Sequence, residues 1–456
     1  RILIFSYTDI DSICCWKILK EILKKLGIFF TLIVIQTKEQ LKQRYELNKD
    51  LFKYFFLINC GSNFDVVQFL EPSRDSIFYI CDSHRPININ NYYNQRQIIL
   101  LCFEEDTSVI PTYEEIYRDD SDTDEELTQE EILDRRTEKR EWEARRMEVL
   151  INYEGFSYYS TCSSIVLYDL AIKLSLNDSK LLWYTITGHS SQLLINQISR
   201  ATYEEQIDWF TNNVQNIEHS RRQGTHNTDD DESSYEHTIK PINDIYLWLY
   251  RHWTLKNSLE TTLITAAKFR IFTEKGSKRL DEFLALVGLS KRESEQTYST
   301  ISKEIKDIFM NLLPQCGEKF GFSSDEFFIR TFLTKACGNC ADMSNIDNFF
   351  IMIACLEVEG NSNPIDNFHK ASDLLSWDLD SNCFEKFINL GKSLVSSIVL
   401  QVRGLLDSDD VIVFGPFLYV HMQSASLKHI GLQNLMSTLI FGRYLLLAKA
   451  SVKTKL

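Results

Sequence analysis

Continuous apolar runs alternate with helix-period segments along the start of the chain. Runs at 1–7, 28–35, 52–60, 76–81 and 97–103 are short, apolar and of strand type. Between them, 12–26 places Ile13, Trp16, Leu19, Ile22 and Leu23 at helical spacing and stops at Gly27. Segment 38–47 reads as a charged helix and 64–70 as a short one. Apolar strands separated by helices predict a parallel sheet covered on both faces. Ligands of such sheets bind beyond the carboxyl ends of the strands.

The pattern then changes. Segment 119–131 holds eight acidic residues and no basic one, which predicts a solvated, disordered run. It passes through Arg135-Arg136-Thr137-Glu138-Lys139-Arg140 into a helix reaching Leu150, with opposite charges such as Glu141 and Arg145 four apart. That helix is either a charged spacer or a protruding arm that contacts a partner. Further helices are predicted at 160–174 and 180–198, and a flexible polar loop at 219–237. Leu280, Phe283, Leu284 and Val287 follow i, i+3, i+4, i+7 spacing, and Ile301, Ile305, Ile308 and Leu312 make a similar stripe. Such stripes face a core or dock a partner, and core is the simpler reading. Segment 347–357 is an apolar helix, 361–364 a turn and 384–402 another helix. Strands at 411–414 and 417–422 meet at Gly415-Pro416.

Composition narrows the class. The 456 residues amount to about three domains at roughly 150 residues each. With 49 Lys plus Arg against 64 Asp plus Glu the net charge is −15, which excludes a surface coated with positive charge for duplex DNA but leaves room for a local basic groove. Gly and Pro, at 16 and 7, are scarce, so helices outnumber tight turns. The most apolar stretches, 394–402 and 439–448, fall short of the ~18 residues a membrane span needs, so no membrane association is expected. The chain opens at Arg1 in a strand-like run without a secretory pattern, and a few upstream residues are expected to be missing. Eleven scattered cysteines suit reduced thiols better than a disulfide framework. Cys337-Gly338-Asn339-Cys340 has neither the second pair a zinc site needs nor the βαβ setting of a redox site.

Polar residues gather where the strands end: Tyr7-Thr8-Asp9-Ile10-Asp11-Ser12 after the first, Asn59-Cys60-Gly61 after the third, Asp82-Ser83-His84-Arg85-Pro86 after the fourth. Carboxylates and an imidazole suit a divalent cation such as Mn²⁺. Equally, Asp9 and Asp82 suit the capping of helices or turns.

Those three loops, in that order, resemble the motifs of the DHH phosphoesterase superfamily. Within it, Phe56-Leu57-Ile58-Asn59-Cys60-Gly61 followed by Asp82-Ser83-His84-Arg85-Pro86 resembles the cell division control protein 45 family of eukaryotic replication factors. Further strings extend the resemblance along nearly the whole chain: Glu141-Trp142-Glu143-Ala144-Arg145-Arg146, Arg251-His252-Trp253-Thr254-Leu255, Ala266-Ala267-Lys268-Phe269, Gly276-Ser277-Lys278-Arg279-Leu280 and Gly415-Pro416-Phe417-Leu418-Tyr419. Each string alone is weak; their order and spacing carry the assignment.

The resemblance implies an α/β fold: a parallel-sheet DHH-like domain, a large all-helical insertion and a small α/β DHHA1-like C-terminal domain, expected to be incomplete at its end. The implied division is 1–110 for the DHH-like domain, 111–136 for an acidic linker, 137–218 for helices completing that lobe, and 219–237 for a loop. Inter-domain helices at 238–275, the partner-binding insertion at 276–363 and the C-terminal domain at 364–456 follow. Active superfamily members hold two Mn²⁺ ions. Here Tyr7, Asn59, Ser83 and Ser191 stand at ligand positions, the last in Thr187-Gly188-His189-Ser190-Ser191, read as a Gly-rich turn, with His189 a candidate substitute. Asp9, Asp11, Asp82 and His84 are then vestigial, with no catalytic residue and no cofactor. The implied function is a non-catalytic scaffold of the replicative helicase that bridges the Mcm motor and GINS and weakly binds single-stranded DNA. It is nuclear, and a monomer when isolated. The alternative is a manganese-dependent RecJ-type 5′-exonuclease. His84 and Arg85 are candidates for a DNA phosphate, unless Arg85 pairs with a carboxylate such as Asp11. Leu280, Phe283, Leu284 and Val287 are candidates for the partner interface, and Ser121 and Thr123 for phosphorylation.

Overall fold

A computed structural model describes residues 1–118, 129–224, 238–335, 342–357, 363–376, 380–408, 410–422 and 434–453. Ser121, Thr123, Cys337, Cys340, most of the 219–237 loop and the start of the 361–364 turn lie outside the described residues. The chain forms two compact units, Arg1–Tyr7 with Ile18–Leu174, and Thr8–Lys17 with Ser175–Leu456.

The first unit is built on the apolar runs. Strands β1 (Ile2–Tyr7), β2 (Phe30–Ile35), β3 (Tyr54–Ile58) and β4 (Ile77–Cys81) all fall within the predicted segments. A two-residue strand β5 (His84–Arg85) follows, then β6 (Ile98–Leu100). The main sheet is parallel, in the order β2-β1-β3-β4-β6. One face of it meets helices Lys38–Glu46 and Val66–Leu70 through Leu41, Tyr45, Val66 and Leu70, all buried against Leu3, Phe5, Leu57 and Ile80. Phe55 and Phe78 stack on neighbouring strands at 5.0 Å, with Tyr45 edge-on to Phe55 at 5.1 Å. Each such fully buried aromatic contributes on the order of 1.5–3 kcal/mol relative to exposure. Thr37 and Asp65 cap the two helices by accepting backbone N–H groups of Gln40 and Gln68. Strand β7 (Tyr158–Tyr159) pairs antiparallel with β5.

The second unit departs from the all-helical expectation. Strand β8 (Ile239–Ile245) opens the segment read as inter-domain helices. Strands β9 (Phe328–Thr334) and β10 (Met343–Ser344) lie inside the segment read as an all-helical insertion. Together they make an antiparallel sheet ordered β10-β9-β8. Pro241 is tolerated because β8 is an edge strand. Pro241, Asn243 and Asp244 interrupt the apolar alternation that would have marked it. Helix Asn345–Leu356 is buried along its whole length, packed against helices Ser179–Leu194, Pro364–Leu374 and Ser381–Asp407. Strands β11 (Ile412–Phe414) and β12 (Phe417–Tyr419) form the anticipated hairpin, turning at Gly415 with φ 58°. No described helix is long and apolar enough to cross a membrane.

Candidate functional site

The loops after β3 and β4 lie side by side, because the parallel ladder that pairs Ile58 with Cys81 continues as a bond from Asn59 N–H to Cys81 O, 3.0 Å. Asp82 sits at their centre, 6% exposed. Its Oδ2 accepts the N–H groups of Gly61 and Ser62, each at 2.9 Å. Its Oδ1 accepts the His84 N–H at 2.9 Å and stands 2.7 Å from His84 Nδ1. An ionised carboxylate only accepts, so Nδ1 carries the imidazole proton. Burial opposes the charge on Asp82, but the His84 ring and the backbone N–H donors outweigh it and hold this carboxyl well below the usual carboxylate range. A Cβ on Gly61 would stand 2.7 Å from Leu57 Cδ1, so the Leu57 side chain would have to shift to admit one.

Asn59, where a metal site would want a carboxylate, has a left-handed backbone, φ 51°. Its Oδ1 accepts from Ser83 N–H at 3.2 Å and from Ser163 Oγ at 2.5 Å. Ser83 is buried, and its carbonyl accepts the Ser160 N–H. Ser163 and the buried Asn91 are functional neighbours that sequence reasoning missed. Asn91 clamps the second loop by donating to Gly61 O and Phe64 O and accepting from Val66 N–H. Neither carries a sequence signal, since the backbone groups that Asn91 meets and the Asn59 amide that Ser163 meets are brought close only by the fold.

Arg85 is not a phosphate contact. It is 4% exposed, donates through Nη1 to Asp82 O and His84 O, and forms an ion pair through Nη2 with Asp106 at 3.0 Å. The alternative, pairing with a carboxylate such as Asp11, is met by a different carboxylate, Asp106. Asp106 also accepts from Ser160 Oγ. His84 is less buried, its ring tilted on Tyr159 at 5.1 Å.

In the second unit, Asp9 is the cap of helix Ile10–Lys25, its Oδ1 accepting the Ser12 N–H at 2.6 Å. Asp11 is buried in the first turn of the same helix. The 187–191 string is not a turn: it lies inside helix Ser179–Leu194. Ser191 Oγ donates to Gly188 O within that helix. His189 is a core aromatic, stacked on Tyr203 at 5.1 Å, and burial lowers its pKa to about 4. Leu280, Phe283, Leu284 and Val287 are at most 3% exposed, so they are core and do not present a partner surface. Among the described residues of 276–363, the exposed large apolar side chains are Leu286 and Ile308.

The donor set does not fit a metal pair. Four donors already serve the two oxygens of Asp82, Asn59 is uncharged, and no group of three or more His, Cys, Asp or Glu among the described residues is placed to hold an ion. Two adjacent divalent cations need concentrated negative charge.

The class of protein this defines is a mixed α/β protein with a parallel sheet, whose strand-end loops bind their polar residues to one another. The chain belongs to the CDC45 family: the family model matches residues 2–140 and 114–449. It is 32% identical over 450 residues to the cell division control protein 45 homolog of Mus musculus, covering 93% of this chain and 77% of that protein. Against the homolog of Homo sapiens it is 31% identical over 448 residues, again covering 93% and 77%. The crystal structure of CDC45 from Entamoeba histolytica has the same fold, with TM-score 0.72 at 20% identity over 99% of this chain and 79% of that one. Family membership supports a role in DNA replication and the cell cycle.

Proposed function

We propose that the chain is a non-catalytic scaffold subunit of the replicative DNA helicase, nuclear, monomeric when isolated, bridging the Mcm motor and GINS and binding single-stranded DNA weakly. The observation that carries the non-catalytic part is the saturation of Asp82 by Gly61, Ser62 and His84 beside the uncharged Asn59. A carboxylate whose acceptor sites are filled by protein donors is a structural clamp. The test is incubation with labelled single-stranded DNA and Mn²⁺. No cleavage is expected. Cleavage that is lost in a folded Asp82→Asn variant would establish the RecJ-type exonuclease instead.

The partner face is read from exposure. Strand β9 pairs along its full length with β8, which lies outside 276–363, so deleting that segment would damage the fold as well as the interface. Leu286 and Ile308, 47% and 49% exposed, offer a gentler probe. A Leu286→Asp, Ile308→Asp double variant should keep its melting temperature and lose co-purification with Mcm and GINS subunits. Undiminished co-purification would move the interface elsewhere.

A further inference from the structure

The main sheet of the first unit has two edges, and they differ. Strand β6 has three residues, and a short edge is poorly suited to further pairing. Strand β2 has six, reading Phe-Thr-Leu-Ile-Val-Ile, with no charge, no proline and a register unbroken against β1. Charge, proline and bulges are the devices that blunt an edge, and β2 has none of them. Phe29 O accepts the Ile2 N–H at 2.9 Å, which sets the alternation. The backbone groups of Thr31 and Ile33 turn to β1, and those of Leu32 and Val34 turn away from it. Among the described residues, the N–H and C=O groups of Leu32 and Val34 meet no hydrogen-bond partner. The next outward N–H, that of Gln36, is taken by Gln40 Oε1 at 2.9 Å and ends the row.

The side chains along this row are apolar and only half covered: Thr31, Leu32, Ile33 and Val34 are all half-buried. Leu26 and Phe29, just before the strand, are 53% and 81% exposed. The charge around the strand is the reverse of the chain's. Segment 18–53 holds eight Lys or Arg against four Asp or Glu, in a chain of net charge −15. Lys24 and Lys25 close the helix that precedes β2, and Lys38 opens the helix that follows it. Cations therefore stand at both ends of the strand, and Lys25 and Lys38 are exposed.

We infer that the β2 edge docks an extended segment of a partner protein, a strand of alternating apolar side chains with carboxylates at both ends. Leu32 and Val34 each offer one N–H and one C=O, and an extended peptide presents the complementary groups at the same spacing. A nucleic-acid strand would answer the cations but not this row of alternating donors and acceptors. Acidic ends on the added strand meet Lys25 and Lys38, which steers the encounter and fixes its register. A second copy of this chain is the poorer occupant. Antiparallel pairing of two β2 edges would set Lys25 of one copy towards Lys38 of the other, and like charges across strands repel. The inference stands whether or not the scaffold reading does.

The experiment is titration of the full chain with the synthetic peptide Glu-Glu-Val-Thr-Val-Thr-Val-Glu-Glu, with the same peptide carrying proline at its centre, and with one carrying lysine for every glutamate. Fluorescence anisotropy gives affinity, and residue-resolved hydrogen exchange gives the place. The acidic peptide at saturation should slow exchange of the Leu32 and Val34 N–H groups about tenfold or more, and leave Thr31 and Ile33, already bonded to β1, nearly unchanged. The proline and lysine peptides should bind about tenfold or more weakly. Leu32→Pro removes one outward N–H while sparing the β1 ladder, and should weaken binding about tenfold. Should that variant fail to fold by thermal melting, the exposed pair Lys25→Glu, Lys38→Glu decides. It should weaken binding about fivefold at low salt, whereas Lys386→Glu, at an exposed position of the second unit, should not. No binding, equal affinity for the proline or lysine peptide, or binding without protection of Leu32 and Val34 would overturn the inference. Protection that rises with chain concentration alone would also overturn it, by making a second copy the occupant.

Discussion

Two buried aspartates, one in each unit, have opposite electrostatic fates. Asp82 in the first unit is served by three backbone N–H groups and the His84 ring, and is held ionised. Asp347 in the second unit is 1% exposed, and its Oδ1 accepts one donor, the Leu249 N–H at 2.8 Å. Its Oδ2 has no hydrogen-bond partner, and His252 Nε2 is 4.0 Å away. Burial therefore wins, and the Asp347 pKa rises to about 6 despite the nearby Arg251. Burial also lowers His252 to about 4, with Lys392 and Arg251 adding to it. The contrast teaches that burial alone does not set the charge of a carboxyl; the number of donors the backbone aims at it does.

Arg251 is the cation of the second site. It grips Asp244 through both Nη atoms, at 2.5 and 2.9 Å, while Tyr250 donates its hydroxyl to the same carboxylate. Arg251→Leu should produce the largest loss, about 3–5 kcal/mol in denaturant unfolding, because it strands a buried carboxylate. A loss below about 1 kcal/mol would mean that water replaces the guanidinium, as at a surface pair.

The same substitution should act with opposite signs at the two aspartates. Folded Asp347 holds its proton more tightly than the unfolded chain does, so its contribution declines as pH rises from about 4 to about 6. Above that range the ionised, under-served carboxylate costs up to about 3 kcal/mol. Asp347→Asn keeps an acceptor for Leu249 and removes the charge. It should be more stable than the parent at pH 8 and lose that advantage towards pH 4. His252 runs the other way: folding resists its protonation, so stability falls as pH drops from about 6.5 to about 4. The two slopes oppose each other in the parent, and the variant should expose the histidine's acid sensitivity. A pH series of melting temperatures checks this, and destabilisation of the variant at pH 8 would show that Asp347 has a partner worth keeping. Asp82→Asn should instead destabilise at pH 7 by about 2–3 kcal/mol, since an amide NH₂ would be turned against N–H donors.

The difference between the sites also tracks what was legible in the sequence. The parallel sheet is legible strand by strand because strands buried on both faces leave continuous apolar runs. The loops at their ends were legible for the same reason, and Asn59, Asp82 and His84 lie together as that reading implies. The filling of Asp82 was not legible, because N–H direction is a property of the folded loop. The sequence leaves Arg85 between a DNA phosphate and a carboxylate such as Asp11, because Asp106 follows an unremarkable Phe103-Glu104-Glu105 run. The antiparallel sheet is not legible because Pro241 and Asp244 break the period of β8, and the spacing of the stripe at Leu280 is the same for a core face and a partner face, whereas its burial marks core.

The smallest expected effect sharpens the comparison most. His84 reaches Asp82 twice, through its backbone N–H and through Nδ1. His84→Ala removes the ring and keeps the backbone donor, so Asp82 retains three of its four hydrogen bonds. The ring is partly exposed and its packing on Tyr159 is tilted, so little apolar burial is lost. The cost should be about 1.5 kcal/mol at pH 7, the low end for one hydrogen bond to a charged group, in a site that stays otherwise satisfied. The depressed Asp82 pKa stabilises the fold above the unfolded carboxyl's pKa and is lost as pH falls below it. With the ring gone, the folded pKa moves back towards the unfolded one, so that acid loss should be smaller and complete at a higher pH. A His84→Ala loss as large as that of Asp82→Asn would make the imidazole the anchor of the site, and the backbone amides of Gly61 and Ser62 only its neighbours.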